Sequence, residues 1–340
     1  ERCAIGRNHG EQFLSNHPYD LLTPDLVIDC VESAGYLSDA RLLALNSYEN
    51  RVYQVGLEDG SPLIAKFYRP GRWTRAQIDE EHRFSQELVD ADISVVAPLI
   101  DSNGCSLHEH AGFLFALFTR RGGYPPELDN LKNLFVLGRT LGRIHAVGRA
   151  GKFSDRVSIN VDRMMSENID FLVDSPFIPR DLIPAYSTLA KDLVQTVNSI
   201  YSEVEDSDLI RVHGDCHVGN ILWRDETAHF VDLDDCMMAP AVQDIWMFLS
   251  GERHRRQQQL AEVIEGYSEF CDFEPRQLRW QESLRTMRII NYAAWLARRW
   301  EDPAFPRSFT WFNTERYWAD HILELREQLS ALQEEPLQLL

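Results

Sequence analysis

The run Arg120-Arg121-Gly122-Gly123-Tyr124-Pro125-Pro126 is the feature that most constrains the fold. Paired glycines followed by paired prolines can continue neither a helix nor a strand ladder, so the chain must change character there. Before the break, short apolar runs at Arg41–Leu45, Arg51–Leu57 and Pro62–Tyr68 read as strands, with Glu58-Asp59-Gly60-Ser61 as a hairpin turn. Val95–Ile100, Ser106–His110 and Phe113–Phe118 extend the expected sheet. Thr23-Pro24 opens one helix and Arg75–Ala91 forms a second. After the break, Leu128–Val147, Gln277–Trp300 and Thr314–Leu332 carry helical periodicity, and Leu209–Asp235 is a compact β-rich insertion. A chain of 340 residues divided in this way predicts two lobes of an α+β protein. The expected division is an N-terminal extension over 1–22, a small antiparallel-sheet lobe over 23–118, a linker over 119–125 and a larger, mainly helical lobe over 126–340.

Charge and cysteine content narrow the function classes. The formal net charge of −19 repels phosphate backbones, so no nucleic acid partner is expected. Cys3, Cys30, Cys105, Cys216, Cys236 and Cys271 are scattered, with no Cys-x-x-Cys pair, which disfavours a disulfide framework or a zinc ribbon. No apolar run approaches the ~20 residues that span a bilayer, and Glu1–Gln12 lacks the apolar core of a signal peptide. The expectation is a cytoplasmic, monomeric protein without a membrane partner.

Chemistry concentrates in Arg211-Val212-His213-Gly214-Asp215-Cys216-His217-Val218-Gly219-Asn220-Ile221-Leu222-Trp223, continued by His229-Phe230-Val231-Asp232-Leu233-Asp234-Asp235. Two apolar strands flank the turn Arg224-Asp225-Glu226-Thr227, and a hairpin there brings Asn220 near Asp232. Phosphoryl transfer needs such a cluster: one carboxylate to take the proton of an attacking hydroxyl, and oxygen ligands for Mg2+ on the phosphates. The alternating His213, Asp215 and His217 also admit a hydrolytic zinc site, although no further histidine stands near Asp232.

His-Gly-Asp-x-His-x-x-Asn followed by Val-Asp-Leu-Asp resembles the signature of the aminoglycoside-phosphotransferase-like branch of the protein kinase superfamily. The resemblance implies a bilobal protein kinase-like fold, with ATP and Mg2+ as cofactors. It implies Asp215 as catalytic base, Asp232 beside it in catalysis, and Asn220 and Asp232 as Mg2+ ligands. His213 is expected as a buried support, Cys216 as a space-filler, and Asp244 as a brace for the catalytic loop or a helix-start acid. Asp234, expected on the strand face of Asp232, is open to a second-metal or supporting role and to that of a solvated carboxylate.

In the first lobe, the resemblance implies a lysine on the ATP phosphates held by a helix glutamate. Lys66 lies in a strand, and Glu81 falls inside the apolar face set by Ile78, Phe84, Leu88 and Val89, where it needs a buried partner. Glu80 lies roughly 100° away around the helix. Asn46-Ser47-Tyr48-Glu49-Asn50 has no glycine, so backbone N–H groups at the Asn positions and the Ser47 hydroxyl are the expected donors to phosphate, and Phe118–Arg121 is the expected adenine hinge. Arg288, Tyr292, Trp295 and Arg299 recur at helical spacing and are read first as core packing, second as a substrate-facing stripe. Leu45–Gln54, Lys66-Phe67-Tyr68-Arg69-Pro70, Glu80-Glu81-His82, Arg298-Arg299-Trp300 and Asp302–Pro306 resemble, more closely, bacterial serine/threonine protein kinases of stress protection within that branch. This implies protein Ser and Thr hydroxyls as acceptors; a small amino alcohol, homoserine, sugar or antibiotic is the alternative, and an inactive ATP-binding scaffold is a third.

Overall fold

The computed structural model describes residues 17–339; the expected extension over 1–22 and Cys3 thus fall wholly or largely outside the described residues. The first lobe is a five-stranded antiparallel sheet in the order β1-β2-β3-β5-β4, built from β1 (Ser38–Ala44), β2 (Arg51–Leu57), β3 (Pro62–Phe67), β4 (His108–His110) and β5 (Phe113–Thr119). Lys66 pairs with Val52 on one side and Ala116 on the other, so it sits on a central strand. Helix α1 (Pro24–Ser33) starts on Thr23, whose hydroxyl accepts the Leu26 N–H at 3.2 Å, and buries Val27, Cys30 and Val31 against one sheet face. Helix α2 (Arg75–Asp90) starts on a reciprocal capping box between Thr74 and Gln77. Its Phe84 and Leu88 join the larger core, so α2 packs towards the second lobe.

The expected strand at Val95–Ile100 is instead an extended tie between sheets. The Val96 N–H donates to Phe230 and the Leu99 N–H to Leu117 (3.0 and 2.7 Å). Pro98, which has no N–H, prevents a continuous ladder. The linker is fastened as well: Tyr124 and Trp223 exchange backbone hydrogen bonds at 3.2 and 2.7 Å.

The second part is helical: α3 (Leu131–Arg149), α4 (Glu167–Asp174), α5 (Ile183–Tyr201), the short α6 (Val242–Ile245), α7 (Arg253–Tyr267), α8 (Gln281–Arg298), α9 (Ala304–Ser308) and α10 (Glu315–Ala331). Helices α3 and α7 approach closely because glycines line the seam. A Cβ on Gly138, Gly142 or Gly266 would collide with the carbonyl oxygen of Val263, Tyr267 or Phe135. Inserted among the helices are β6 (Ile210–Val212), paired with β9 (Met237–Ala239), and the hairpin of β7 (Ile221–Arg224) and β8 (Thr227–Phe230). Asp225 and Glu226 at the hairpin tip both have positive φ (50° and 55°), the geometry of a tight primed turn. Among the described residues, no helix is long and apolar enough to cross a membrane.

Candidate active site between the lobes

Strand β6 delivers the chain to His213 and then to a forced turn. Gly214 has φ +85°, and a Cβ there would strike the Asp235 carbonyl, so only glycine fits. Asp244, fully buried within α6 rather than ahead of a helix, accepts the N–H groups of His213 (2.8 Å) and Gly214 (2.9 Å). His145 Nε2 donates to the same carboxylate at 2.9 Å. Gln243 closes the other side by donating to the Gly214 carbonyl at 3.0 Å. Three side-chain hydrogen bonds thus hold the backbone just before Asp215, and His145 steadies the carboxylate that makes two of them.

Asp215 lies at the cleft. Asn220 Nδ2 donates to its carbonyl (3.0 Å) and to its Oδ2 (3.4 Å), while His217 Nε2 is 3.4 Å from Oδ2. Arg288 Nη1 from α8 bonds Oδ1. Burial raises the affinity of Asp215 for a proton, but His217 and Arg288 outweigh it and hold the carboxyl well below the usual range.

The returning strand brings Asp232 to the same place. The Val231 N–H donates to the Asn220 carbonyl at 3.0 Å, and His213 Nε2 donates to the Val231 carbonyl at 2.9 Å. Asp232 then adopts left-handed backbone angles (φ 60°, ψ 62°), uncommon for a non-glycine residue, and its carboxylate stays half exposed. Such an outlier marks a position set by its surroundings. A 3-10 turn over Leu233–Asp235 follows, which carries Asp234 off any strand face and into the interior.

Asp234 is only 2% exposed, which overturns its solvated alternative. It accepts from Asn50 Nδ2 (3.1 Å) and Arg72, and Lys66 Nζ is 3.3 Å away. Burial opposes its charge, but Lys66, Arg72 and Arg156 together hold it well below the usual carboxylate range. Lys66 is also buried; its Nζ lies 2.9 Å from Asp232, 3.7 Å from Glu81 and 5.0 Å from the centre of the Tyr68 ring. Burial pushes Glu81 up to about 7 against the pull of Lys66. Glu80 is equally buried, but it faces elsewhere, accepting the N–H groups of Ser154, Asp155 and Arg156 at 2.7, 2.8 and 2.7 Å.

Ser47 joins the cluster through its loop. Its hydroxyl donates to the Asn50 carbonyl at 3.1 Å, and Asn50 reaches Asp234. The loop rests on the end of α8 and on the segment after α9: Glu49 accepts from Trp295 Nε1 and from Arg299 at 2.9 Å, and the Tyr48 ring lies 4.8 Å from that of Phe309. The stripe of Arg288, Tyr292, Trp295 and Arg299 therefore lines the cleft, while Trp295 also packs on the core against Phe305, 4.9 Å between ring centres. Tyr292 is 40% exposed. Sequence reasoning placed Asn50 in the phosphate loop but missed its side-chain bond to Asp234, and it missed Arg72 and Arg156 altogether, whose partners are far off in the chain; the nearest signal was Arg72 standing just beyond the lysine strand.

Hard oxygen donors suited to Mg2+ converge on this cleft. Because Asn220 donates through Nδ2, the amide plane sets its Oδ1 on the opposite side, free to accept a cation, and the Asp232 carboxylate is accessible. The residues present thus fit Mg2+. A zinc trio fares worse: His213 is wholly buried with Nε2 committed to Val231, and no group of three or more His, Cys, Asp or Glu among the described residues is arranged to hold a metal.

Residues 41–280 match the model of the phosphotransferase enzyme family. The chain is 44% identical to Stress response kinase A of Escherichia coli over 94% of its own length and 97% of that protein. It is 41% identical to the serine/threonine protein kinase RdoA of Salmonella typhimurium, with the same coverages of 94% and 97%. Among solved structures, an amicoumacin kinase in complex with AMP-PNP and Ca2+ matches with a TM-score of 0.69 at 19% identity, covering 90% of this chain and 93% of that one. A microcompartment-associated aminopropanol kinase matches with a TM-score of 0.70 at 17% identity, covering 90% and 98%.

Proposed function

Since the chain belongs to the phosphotransferase enzyme family and is an ATP-dependent kinase, we propose that it phosphorylates Ser and Thr hydroxyls of proteins, in a stress-protective role. The observation that carries the protein acceptor is near-full-length identity above two-fifths to kinases, one of whose names specifies Ser/Thr protein kinase. The solved neighbours below 20% identity share the fold, and their small acceptors do not transfer with it.

In this reading Asp215 orients the acceptor hydroxyl and takes its proton. The hydroxyl oxygen bonds the γ-phosphorus, the bond from that phosphorus to the β–γ bridging oxygen breaks, and ADP leaves with the electron pair. Lys66, steadied by Glu81, neutralises the phosphates, and Ser47 donates a hydrogen bond to them by turning its hydroxyl away from the Asn50 carbonyl. Asn220 and Asp232 would hold Mg2+, which when bound neutralises charge on the phosphates. Asp244, His145 and His213 keep the catalytic loop in register, and Asp234 sets the floor on which Lys66 and Arg72 rest.

The test is incubation with labelled ATP and Mg2+ beside generic protein substrates and a panel of small alcohols. The expected result is label in protein for the wild type. Asp215→Ala should lose it while still binding ATP, since a base contributes about 10²–10⁴-fold. Label confined to small alcohols would overturn the protein acceptor, and near-normal turnover in Asp215→Ala would overturn the base.

A further inference from the structure

Arg288 stands where an acceptor has to arrive. Its guanidinium bonds Asp215 Oδ1, while Oδ2 is engaged by His217 and Asn220 at 3.4 Å each. A hydroxyl that gives its proton to Asp215 needs one of these oxygens. Oδ1 is the one that can be released, because its partner is a long, flexible side chain on the cleft wall, 38% exposed. The other two partners belong to the catalytic loop itself.

We propose that Arg288 is a specificity-determining residue that selects acceptors bearing a carboxylate next to the reactive hydroxyl, such as a Ser or Thr adjoining Asp or Glu. The inference rests on the protein-kinase reading for the nature of the chain carrying that hydroxyl. A carboxylate beside the acceptor draws the guanidinium into a planar, two-pronged pair, which is the geometry arginine favours. Oδ1 of Asp215 is thereby uncovered for the hydroxyl. An ammonium beside the acceptor meets the opposite situation: it cannot pair with Arg288, and like charges repel at close range. Amino alcohols are therefore poor fits despite the overall charge of −19. The wall around Arg288 suits a peptide, since Tyr292, 40% exposed, stacks on the half-buried Trp295 (5.7 Å between centres, 19° between planes) and offers one aromatic face along α8.

The experiment uses the full chain with ATP and Mg2+ and three peptides that differ only in an Asp, Asn or Lys beside the Ser. Glycerate and 1-amino-2-propanol serve as small acceptors of opposite charge. One charge-assisted hydrogen bond should favour the Asp over the Asn peptide by about tenfold in kcat/KM. The Lys peptide should be the poorest. In Arg288→Gln the ratio should collapse to about one, and Arg288→Lys should restore part of it. The preference should also weaken with added salt. A merely structural role for Arg288 would lower all three peptides alike and leave the ratio intact, which would overturn the proposal. So would a wild type indifferent to the flanking residue, and that arm decides the matter even if Arg288→Gln fails to fold. If no peptide reacts but glycerate outpaces 1-amino-2-propanol, the protein acceptor is lost and the assignment of Arg288 stands. The reverse order of the two small acceptors overturns Arg288.

Discussion

Asp244→Asn tests how the loop leading into Asp215 is held. The native carboxylate takes the Gly214 N–H on Oδ1, and the His213 N–H and His145 Nε2 on Oδ2, with no exposure to solvent. An amide has one oxygen, so in either orientation its NH2 faces a donor in a site that water cannot enter. If the oxygen stays on the side with two partners, the Gly214 N–H is orphaned, at about 1–3 kcal/mol. The two remaining bonds no longer reach a charge, which removes about 1 kcal/mol each. Relief of a buried charge works in the other direction. The balance is a loss of about 2–4 kcal/mol, or roughly 1 M in urea midpoint at an m-value of roughly 3 kcal/mol/M. Gly214 immediately precedes Asp215, so turnover should fall as well, and a displacement of about 1 Å can cost about 10²-fold. Urea unfolding followed by fluorescence, with phosphoryl transfer measured on the same preparation, checks both. An unchanged midpoint with unchanged turnover would refute the claim that one carboxylate holds both amides.

Lys66→Ala and Glu81→Ala should each weaken ATP binding, yet the double variant should be little worse than Lys66→Ala, because the two side chains face each other at 3.7 Å; simple additivity in ATP titrations would argue that Glu81 acts independently of the lysine. Asp302 is buried against Arg69 (2.6 Å), His17 (2.8 Å) and Arg51 (2.9 Å); burial raises its pKa, but these partners win and bring it down to about 2. A depressed folded pKa means stabilisation that is full above the unfolded value of about 4 and lost as pH falls towards the folded one. The urea midpoints of wild type and Asp302→Asn should therefore converge between pH 5 and pH 2, and a constant gap would refute the assignment. Gly138→Ala forces a methyl onto the Val263 carbonyl where α3 meets α7, and should cost about 1–3 kcal/mol in unfolding experiments without altering acceptor preference.

Local pattern settled much about this protein before any contact was known. Glycine and proline at 122–126 mark the passage from sheet to helices because their backbone limits act within a few residues, and the structure places the sheet before that break and the long helices after it. The segment from His213 to Asp235 was legible for the same reason: a short hairpin brings Asn220 and Asp232 together with little help from the rest of the chain. The helical wheel put Glu81 inside an apolar face, where it now lies beside Lys66, but it could not foresee that Glu80 would be buried as well by three backbone N–H groups from residues 154–156. Nor could periodicity tell a core stripe from a cleft wall for Arg288 and Trp295, because both arrangements present the same spacing; what decides is the surface opposite, Asp215 for Arg288 and Glu49 for Trp295. The fate of Asp234 depended on Asn50, Lys66 and Arg72 arriving from the first lobe. Whether a carboxylate is solvated or buried depends on the charges packed against it; here Lys66 and Arg72 come from the first lobe and Arg156 from 78 residues upstream, and only the tertiary fold could bring them together.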